Sequence, residues 1–134
     1  MSIQWNDQYS VGVKEIDDQH KLFVEVLQKL SNELISGVGG KEVVSDLMDS
    51  LGEYVDLHFN TEEFYFKKFG YEGTDEHIKA HNEFREKAKE EISMIKNGGE
   101  LTLDLINYLE TWLANHIMDM DQKYVRCFAD HGLK

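Results

Sequence analysis

The stretch that decides the fold lies near the middle of the chain and reads His58-Phe59-Asn60-Thr61-Glu62, followed after a short interval by His77-Ile78-Lys79-Ala80-His81. In both segments the first and last residues are four positions apart. Four residues turn an α-helix by about 400°, so the two end side chains point about 40° apart on one face. The spacing therefore predicts two helices, each presenting two candidate metal ligands side by side.

Apolar residues recur at steps of three and four positions along four segments, which is typical of helices with one buried face. Glycine-containing breaks separate the segments. We predict helices over residues 18–36, 41–69, 75–97 and 101–121, with a helical tail to about residue 129. Because short loops join them, we expect an all-α fold, an up-down-up-down antiparallel four-helix bundle. Residues 1–17 show no sustained helical period and are expected to form an irregular N-terminal arm over the core.

Composition narrows the class of protein. The 134 residues, 41% of them hydrophobic and none of them proline, suit a single domain over residues 1–134. A formal net charge of −12 argues against nucleic acid or an anionic membrane surface as a partner. The single cysteine, Cys127, cannot form an internal disulfide, and the first residues have neither the basic start nor the apolar run of a signal peptide. We expect a cytoplasmic monomer that does not span a membrane.

Seven polar side chains fall on or beside the predicted apolar faces: His20, His58, Glu62, His77, His81, His116 and Asp121. A lone histidine on an apolar face is more often a satisfied core residue than a ligand. Seven such groups in one bundle would each cost roughly a few kcal/mol if they stayed unpaired, and one bound metal centre would satisfy them together. The sixth histidine, His131, lies in a polar tail and is expected to face solvent.

The size of this set indicates two metal ions. Five imidazoles and two carboxylates are too many for the six positions of one octahedral ion. Shared between two ions, with both carboxylates bridging, they leave room for a bridging oxygen and one open position where a small molecule could bind. Imidazole and carboxylate ligands suit iron, and less specifically zinc, copper or manganese.

These residues carry a resemblance to a known family. The set Asp17-Asp18-Gln19-His20, His58-x-x-x-Glu62, His77-x-x-x-His81 and His116-x-x-x-x-Asp121 resembles the hemerythrin family. The N-terminal segment Trp5-Asn6, Tyr9-Ser10-Val11-Gly12-Val13 and Ile16-Asp17 is similar to its bacterial branch, the bacteriohemerythrins. The likeness covers essentially the whole chain. It implies a centre of two non-haem iron ions (Fe²⁺/Fe³⁺) with an oxo or hydroxo bridge that binds O2 reversibly.

The resemblance also implies a role for each ligand. His77, His81 and His116 would hold one iron, His20 and His58 would hold the other iron, which keeps the open position, and Glu62 and Asp121 would bridge the two. Large apolar residues lie about one turn from these ligands and would form an apolar O2 pocket: Phe23, Phe59, Phe84, Trp112, Leu113 and Ile117. All of them except Phe23 match the family's oxygen-pocket positions, and all of them also suit an ordinary core.

The sequence leaves two structural questions undecided: how the helix places both His116 and Asp121, and what the three residues before His20 do. His116 and Asp121 are five positions apart, which turns an ideal helix by about 500° and points them about 140° apart. Either Asp121 reaches round from the flank or the helix carries a wide turn, and we predict a distortion between them. Asp17, Asp18 and Gln19 could orient a ligand histidine, although we expect at least two of them to be helix-start residues that face water.

The expected function is reversible O2 binding for carriage, storage or delivery, with no catalytic residue and no enzymatic activity. Nitric oxide and small anions are further candidate ligands. The alternative is a sensor of O2, redox state or nitric oxide. A di-iron oxidase or peroxidase is less favoured, because the ferritin-like class uses Glu-x-x-His motifs and no histidine here follows a glutamate by three residues. A structural zinc site is least favoured, since it needs four closed ligands.

Overall fold

The computed structural model describes residues 3–134, and four long helices dominate it: α1 over Lys14–Ser36, α2 over Gly40–Phe69, α3 over Thr74–Lys96 and α4 over Leu103–Asn115. α1 packs against α2 and α4, and α2 packs against α3. This is the antiparallel four-helix bundle that the sequence predicts, and the all-α fold is confirmed. Between residues 3 and 134, no helix is long and apolar enough to cross a membrane.

Two groups of buried apolar side chains fill the interior. The larger group lies between the four helices and includes Leu27, Leu51 and Phe59. The smaller group joins the N-terminal arm to the end of the chain and includes Phe66 and Phe128. Histidine rings contact aromatic residues of both groups, since His81 stacks on Phe59 and His77 lies against Phe66. The buried polar site described below therefore lies between the two groups.

The N-terminal arm is shorter than predicted, because α1 begins at Lys14 and not near residue 18. Asp17 lies in the first turn of the helix, where an acidic side chain is favourable. Its carboxylate accepts hydrogen bonds from Ser10 Oγ at 2.5 Å and from the Val11 N–H at 2.8 Å. These bonds tie the arm to the start of α1 and let the helix begin earlier than its apolar pattern suggests.

The remaining arm covers the core as predicted. Val11 and Val13 are buried in the smaller group, and Ile3 is buried against the larger group. The backbone N–H of Ile3 donates to the Glu110 carboxylate, and its C=O accepts from Gln28 Nε2 at 3.0 Å. The arm is therefore fixed to both α1 and α4. Residues 1 and 2, on which part of the predicted arm falls, lie outside the described residues.

The end of α4 is distorted. After α4 the chain continues in three short elements: a wide π-helical turn over His116–Met120, a 3₁₀ turn over Asp121–Tyr124 and helix α5 over Val125–Asp130. The wide turn takes up the extra residue, so that His116 and Asp121 are both buried in the interior. The distortion predicted between these two residues is confirmed, and the tail is helical to residue 130.

α4 begins at Leu103, two residues later than predicted, because Thr102 caps it: Thr102 Oγ1 accepts a hydrogen bond from the Leu105 N–H at 3.1 Å.

Thr102→Ala removes this bond and is expected to lower the free energy of unfolding by about 1 kcal/mol, measured by urea unfolding. The matched control is Thr111→Ala, at an exposed position of the same helix, which should change it by less than about 0.5 kcal/mol. Equal losses in the two variants would contradict the capping role.

Candidate metal centre

The seven side chains predicted as ligands come together in the interior of the bundle. α1 contributes His20, α2 contributes His58 and Glu62, α3 contributes His77 and His81, and the distorted segment after α4 contributes His116 and Asp121. All seven are buried, and His116, at 5% exposed, is the most accessible of them. His131 is exposed, as predicted, and its ring stacks on Phe69 away from this site.

The candidate ligand atoms form two groups that share both carboxylates. We name them by their histidines: the three-histidine group contains Glu62, His77, His81, His116 and Asp121, and the two-histidine group contains His20, His58, Glu62 and Asp121. Within each group, the ligand atoms all lie within 4.8 Å of one another. Cys127, which is half-buried, belongs to neither group.

Asp121 faces the two groups with different oxygens. Its Oδ1 lies 2.9 Å from His77 Nε2 and 3.1 Å from His116 Nε2. Its Oδ2 lies 3.0 Å from His20 Nε2. A carboxylate that presents one oxygen to each of two ligand groups has the arrangement of a bridging ligand. The wide turn before Asp121 makes this arrangement possible, since it brings the side chain onto the inner face.

Glu62 is the other shared carboxylate, and its Oε1 lies 3.2 Å from His58 Nε2 and 3.1 Å from His81 Nε2. Within residues 3–134, neither oxygen makes an aligned hydrogen bond, and the same holds for both oxygens of Asp121 and for His81 Nε2. A buried polar atom without a partner costs roughly 1–3 kcal/mol, so five in one place need an explanation. A bound cation would supply the missing partner of each atom, and the donor set therefore fits a metal centre.

The imidazole rings turn the same nitrogen toward the centre. The Nε2 atoms of His20 and His58 lie 2.8 Å apart, and those of His77 and His116 lie 3.0 Å apart. Histidines that bind a metal through Nε2 carry their proton on Nδ1, where a neighbouring oxygen commonly accepts it. The convergence of Nε2 atoms on two carboxylates is therefore the arrangement expected of metal ligands.

Burial and neighbouring groups set the protonation states. Burial lowers the pKa of His20, and the nearby His58 ring lowers it further. Burial also raises the pKa of both carboxyls, but their contacts with the surrounding histidines outweigh it and hold the pKa values of Glu62 and Asp121 below their ordinary range. Near neutral pH, His20 is therefore neutral and the carboxylates are ionised. These are the states that bind a cation.

Of the three residues before His20 that could orient a ligand histidine, Gln19 contacts a candidate ligand, His58. Its amide Oε1, which can only accept, lies 2.9 Å from His58 Nδ1, so Nδ1 carries a proton and donates it, while Nε2 faces Glu62. Gln19 is 8% exposed, and its Nε2 donates to Thr61 Oγ1 at 3.1 Å. Asp17 ties down the arm instead, and Asp18 forms a surface ion pair.

Of the six apolar residues predicted around the site, Phe59 and Trp112 contact its histidines directly. Trp112 is half-buried and the other five are buried: Phe23, Phe59, Phe84, Leu113 and Ile117. The Phe59 ring stacks on His81 with centroids 3.8 Å apart, and the Trp112 ring stacks on His116 with centroids 4.4 Å apart. These contacts give the site an apolar wall. A role of this wall in O2 binding stays a prediction.

Four neighbours of the site escaped the sequence analysis: Glu63, Phe66, Arg85 and Tyr124. The centroid of the His77 ring lies 4.7 Å from that of Phe66 and 5.8 Å from that of Tyr124. Helical spacing could have identified both residues, since Phe66 follows Glu62 by four positions and Tyr124 follows Asp121 by three. Glu63 and Arg85 lie behind His81, and their positions depend on how α2 packs against α3.

The sequence model of one protein family, described as the hemerythrin HHE cation binding domain, matches residues 11–128 of this chain. This chain belongs to the hemerythrin family. It is 27% identical over 129 residues to the bacteriohemerythrin of Clostridium acetobutylicum, and the aligned region covers 90% of this chain and 97% of that relative. It is 32% identical over 123 residues to the bacteriohemerythrin of Pseudomonas aeruginosa, covering 90% and 78% of the two chains.

A myohemerythrin and a solved hemerythrin structure match over the same region. The myohemerythrin of Theromyzon tessulatum is 27% identical over 121 residues, covering 90% of this chain and 89% of that relative. The crystal structure of a wild-type hemerythrin superposes with a TM-score of 0.87 at 26% sequence identity, covering 96% of this chain and 99% of the other. The predicted resemblance to the hemerythrin family and its bacteriohemerythrins is confirmed.

Proposed function

We propose that this hemerythrin-family chain binds O2 reversibly at a centre of two iron ions. The observation that supports the proposal is the pair of buried ligand groups that share Glu62 and Asp121. The names of the relatives, bacteriohemerythrin and myohemerythrin, agree with it. Two ferrous ions would supply the two electrons on which reversible O2 binding draws. The protein would carry or store O2 as a cytoplasmic monomer without enzymatic activity.

The two ligand groups would hold the ions unequally. The three-histidine group offers five protein ligands, so an oxo or hydroxo bridge would complete six positions around its ion. The two-histidine group offers four, so the same bridge would leave one position open. We assign O2 binding to the ion held by His20 and His58. Nitric oxide and small anions would compete for the same position.

The surrounding residues would favour binding over turnover. Phe59 and Trp112 cover the faces of ligand rings, and Phe84 stacks on Trp112 with ring centroids 3.9 Å apart. Water and protons promote the oxidation of ferrous iron, and this apolar wall would keep both away from the ligands. The chain's own contribution would therefore be to orient the ligands and to exclude solvent.

The visible absorption of the iron-loaded, reduced protein tests the proposed function. We expect a charge-transfer band that appears when air is admitted and disappears when O2 is removed under vacuum, over repeated cycles. Irreversible bleaching in the first cycle would contradict reversible binding. Release of hydrogen peroxide in step with O2 uptake would also contradict it and would favour an oxidase.

His58→Ala is expected to lose the iron of the two-histidine group preferentially, because that group then retains a single imidazole. The iron content, measured by metal analysis, should fall from two ions per chain toward one, and the O2-dependent band should vanish. His131→Ala, which changes an exposed histidine outside the site, is the control and should keep both properties. Full iron content with unchanged O2 binding in His58→Ala would remove His58 from the ligand set.

Gln19→Leu keeps the approximate shape of the side chain and removes the amide oxygen that orients His58. Loss of such an orienting hydrogen bond commonly weakens metal binding by roughly 10-fold or more, and we expect a loss of about that size. Competition between the protein and a chelator for Co²⁺ measures it. Asp18→Asn, at the adjacent position, is the control. Equal affinities in Gln19→Leu and the wild type would show that His58 needs no help from Gln19.

A further inference from the structure

Two charged side chains lie behind His81, on the side away from the ligand atoms. His81 Nδ1 lies 2.7 Å from Glu63 Oε2, and the same oxygen lies 2.8 Å from Arg85 Nη1. The side chains of Glu63 and Arg85 are 15% and 22% exposed, so solvent screens their interaction only in part. The guanidinium beside this oxygen favours the carboxylate form of Glu63, so Glu63 is placed to accept the Nδ1 proton of His81.

Three further contacts fix the Arg85 guanidinium. It donates to Asn82 Oδ1 at 2.9 Å and to Asn60 Oδ1 at 3.1 Å. It also lies over the Phe59 ring, with Cζ 5.1 Å from the ring centroid, and Phe59 in turn stacks on His81. Held from several sides, the guanidinium keeps its positive charge next to the Glu63 carboxylate.

The two ligand groups differ in the chemical group that accepts a hydrogen bond from the Nδ1 atom of a histidine. In the two-histidine group, the neutral amide of Gln19 accepts from His58 Nδ1. In the three-histidine group, an ionised carboxylate accepts from His81 Nδ1. A carboxylate in this position makes an imidazole a stronger electron donor to its metal than a neutral acceptor does. The positive charge of Arg85 opposes that effect, because it draws electron density from the Glu63 oxygen that faces His81.

We propose that Arg85 is a positioning residue that acts on the ligand His81 through Glu63 and limits how strongly His81 donates electrons to its metal ion. The inference rests on the proposed metal centre but is independent of O2 binding. Removal of the Arg85 charge leaves the Glu63 carboxylate uncompensated and favours oxidised iron. Removal of the Glu63 charge has the opposite effect and favours reduced iron.

The test compares Arg85→Met, Glu63→Gln and the double variant. The first measurement is the reduction potential of the iron-loaded protein, and the second is the ¹H–¹⁵N signal of His81 Nδ1 in the zinc-loaded protein. We expect Arg85→Met to lower the potential, to strengthen the Nδ1 hydrogen bond and to speed oxidation in air several-fold. Glu63→Gln should change all three in the opposite sense. The double variant should behave as Glu63→Gln, since Arg85 then has no carboxylate to act on.

Two control variants separate this mechanism from simpler ones. Lys89→Met removes a positive charge from an exposed position one turn further along α3 and should leave both measurements near the wild-type values. Arg85→Lys, which keeps the charge, should restore most of the wild-type potential. A shift in Lys89→Met as large as that in Arg85→Met would overturn the proposal in favour of net charge.

Other results would also overturn the proposal. If Arg85→Met raises the potential as Glu63→Gln does, Arg85 merely holds Glu63 in place. If the Arg85→Met effect persists unchanged in the Glu63→Gln background, it does not pass through Glu63. A wild-type chain that binds no zinc and no iron would overturn the proposed function itself. A chain that binds two ions, with the Arg85→Met potential and His81 signal unchanged, would overturn this inference alone.

Discussion

Glu62→Gln is expected to bind at most one iron per chain, where we expect the wild type to bind two. The amide keeps the shape of the side chain but loses the negative charge and one of its two ligand oxygens, so it cannot bridge two ions. The Glu62 Oε1 atom lies 3.2 Å from His58 Nε2 and 3.1 Å from His81 Nε2, so both ligand groups are weakened by the change. Metal analysis after reconstitution with ferrous iron and exhaustive dialysis measures the loss.

Glu53→Gln provides the matched control for Glu62→Gln, because it makes the same chemical change at an exposed position of the same helix. It should bind as much iron as the wild type. Circular dichroism should show that both variants keep the helical content of the bundle. If Glu62→Gln retained two ions per chain, Glu62 would not be a bridging ligand.

Removal of the metal with a chelator is expected to lower the melting temperature by about 10–20 °C. A ligand that binds only the folded chain stabilises it by about 4 kcal/mol when its free concentration is 1,000 times Kd. For a chain of this size, each kcal/mol corresponds to about 4 °C. The physical origin is the set of buried atoms in Glu62, His81 and Asp121 that have no hydrogen-bond partner among residues 3–134 and that a bound cation would satisfy.

Calorimetry of the metal-loaded and chelator-treated protein measures this change, with metal analysis to establish that the ions were removed. Glu62→Gln serves as the comparison, since a chain that binds less metal should lose less stability on chelation. An unchanged melting temperature in fully metal-free wild type would mean that the seven side chains satisfy one another, and the metal centre would lose its main physical argument.

The main features of the fold follow from local patterns that the sequence shows directly. Apolar spacing identifies the four helices, and four-residue spacing places His58 with Glu62 and His77 with His81 on inner faces. The five-residue interval from His116 is informative because it violates the helical period. A straight helix would turn Asp121 away from the site, so a wide turn is needed to place both residues there.

What the sequence could not predict depends on contacts between distant segments. α1 begins at Lys14 because Asp17 binds Ser10 and Val11. The spacing of apolar residues along the helix cannot predict such a contact. Glu62 and Glu63 are adjacent and chemically alike, and only the packing of α2 against α3 gives the first to the ligand atoms and the second to the back of His81.

A crystal structure of the iron-loaded protein, with anomalous diffraction recorded at the iron absorption edge, tests the central claim most directly. We expect two iron peaks, one beside His77, His81 and His116 and the other beside His20 and His58, with Glu62 and Asp121 in contact with both. A single peak, peaks elsewhere in the molecule, or either carboxylate turned away from the metal would contradict the account.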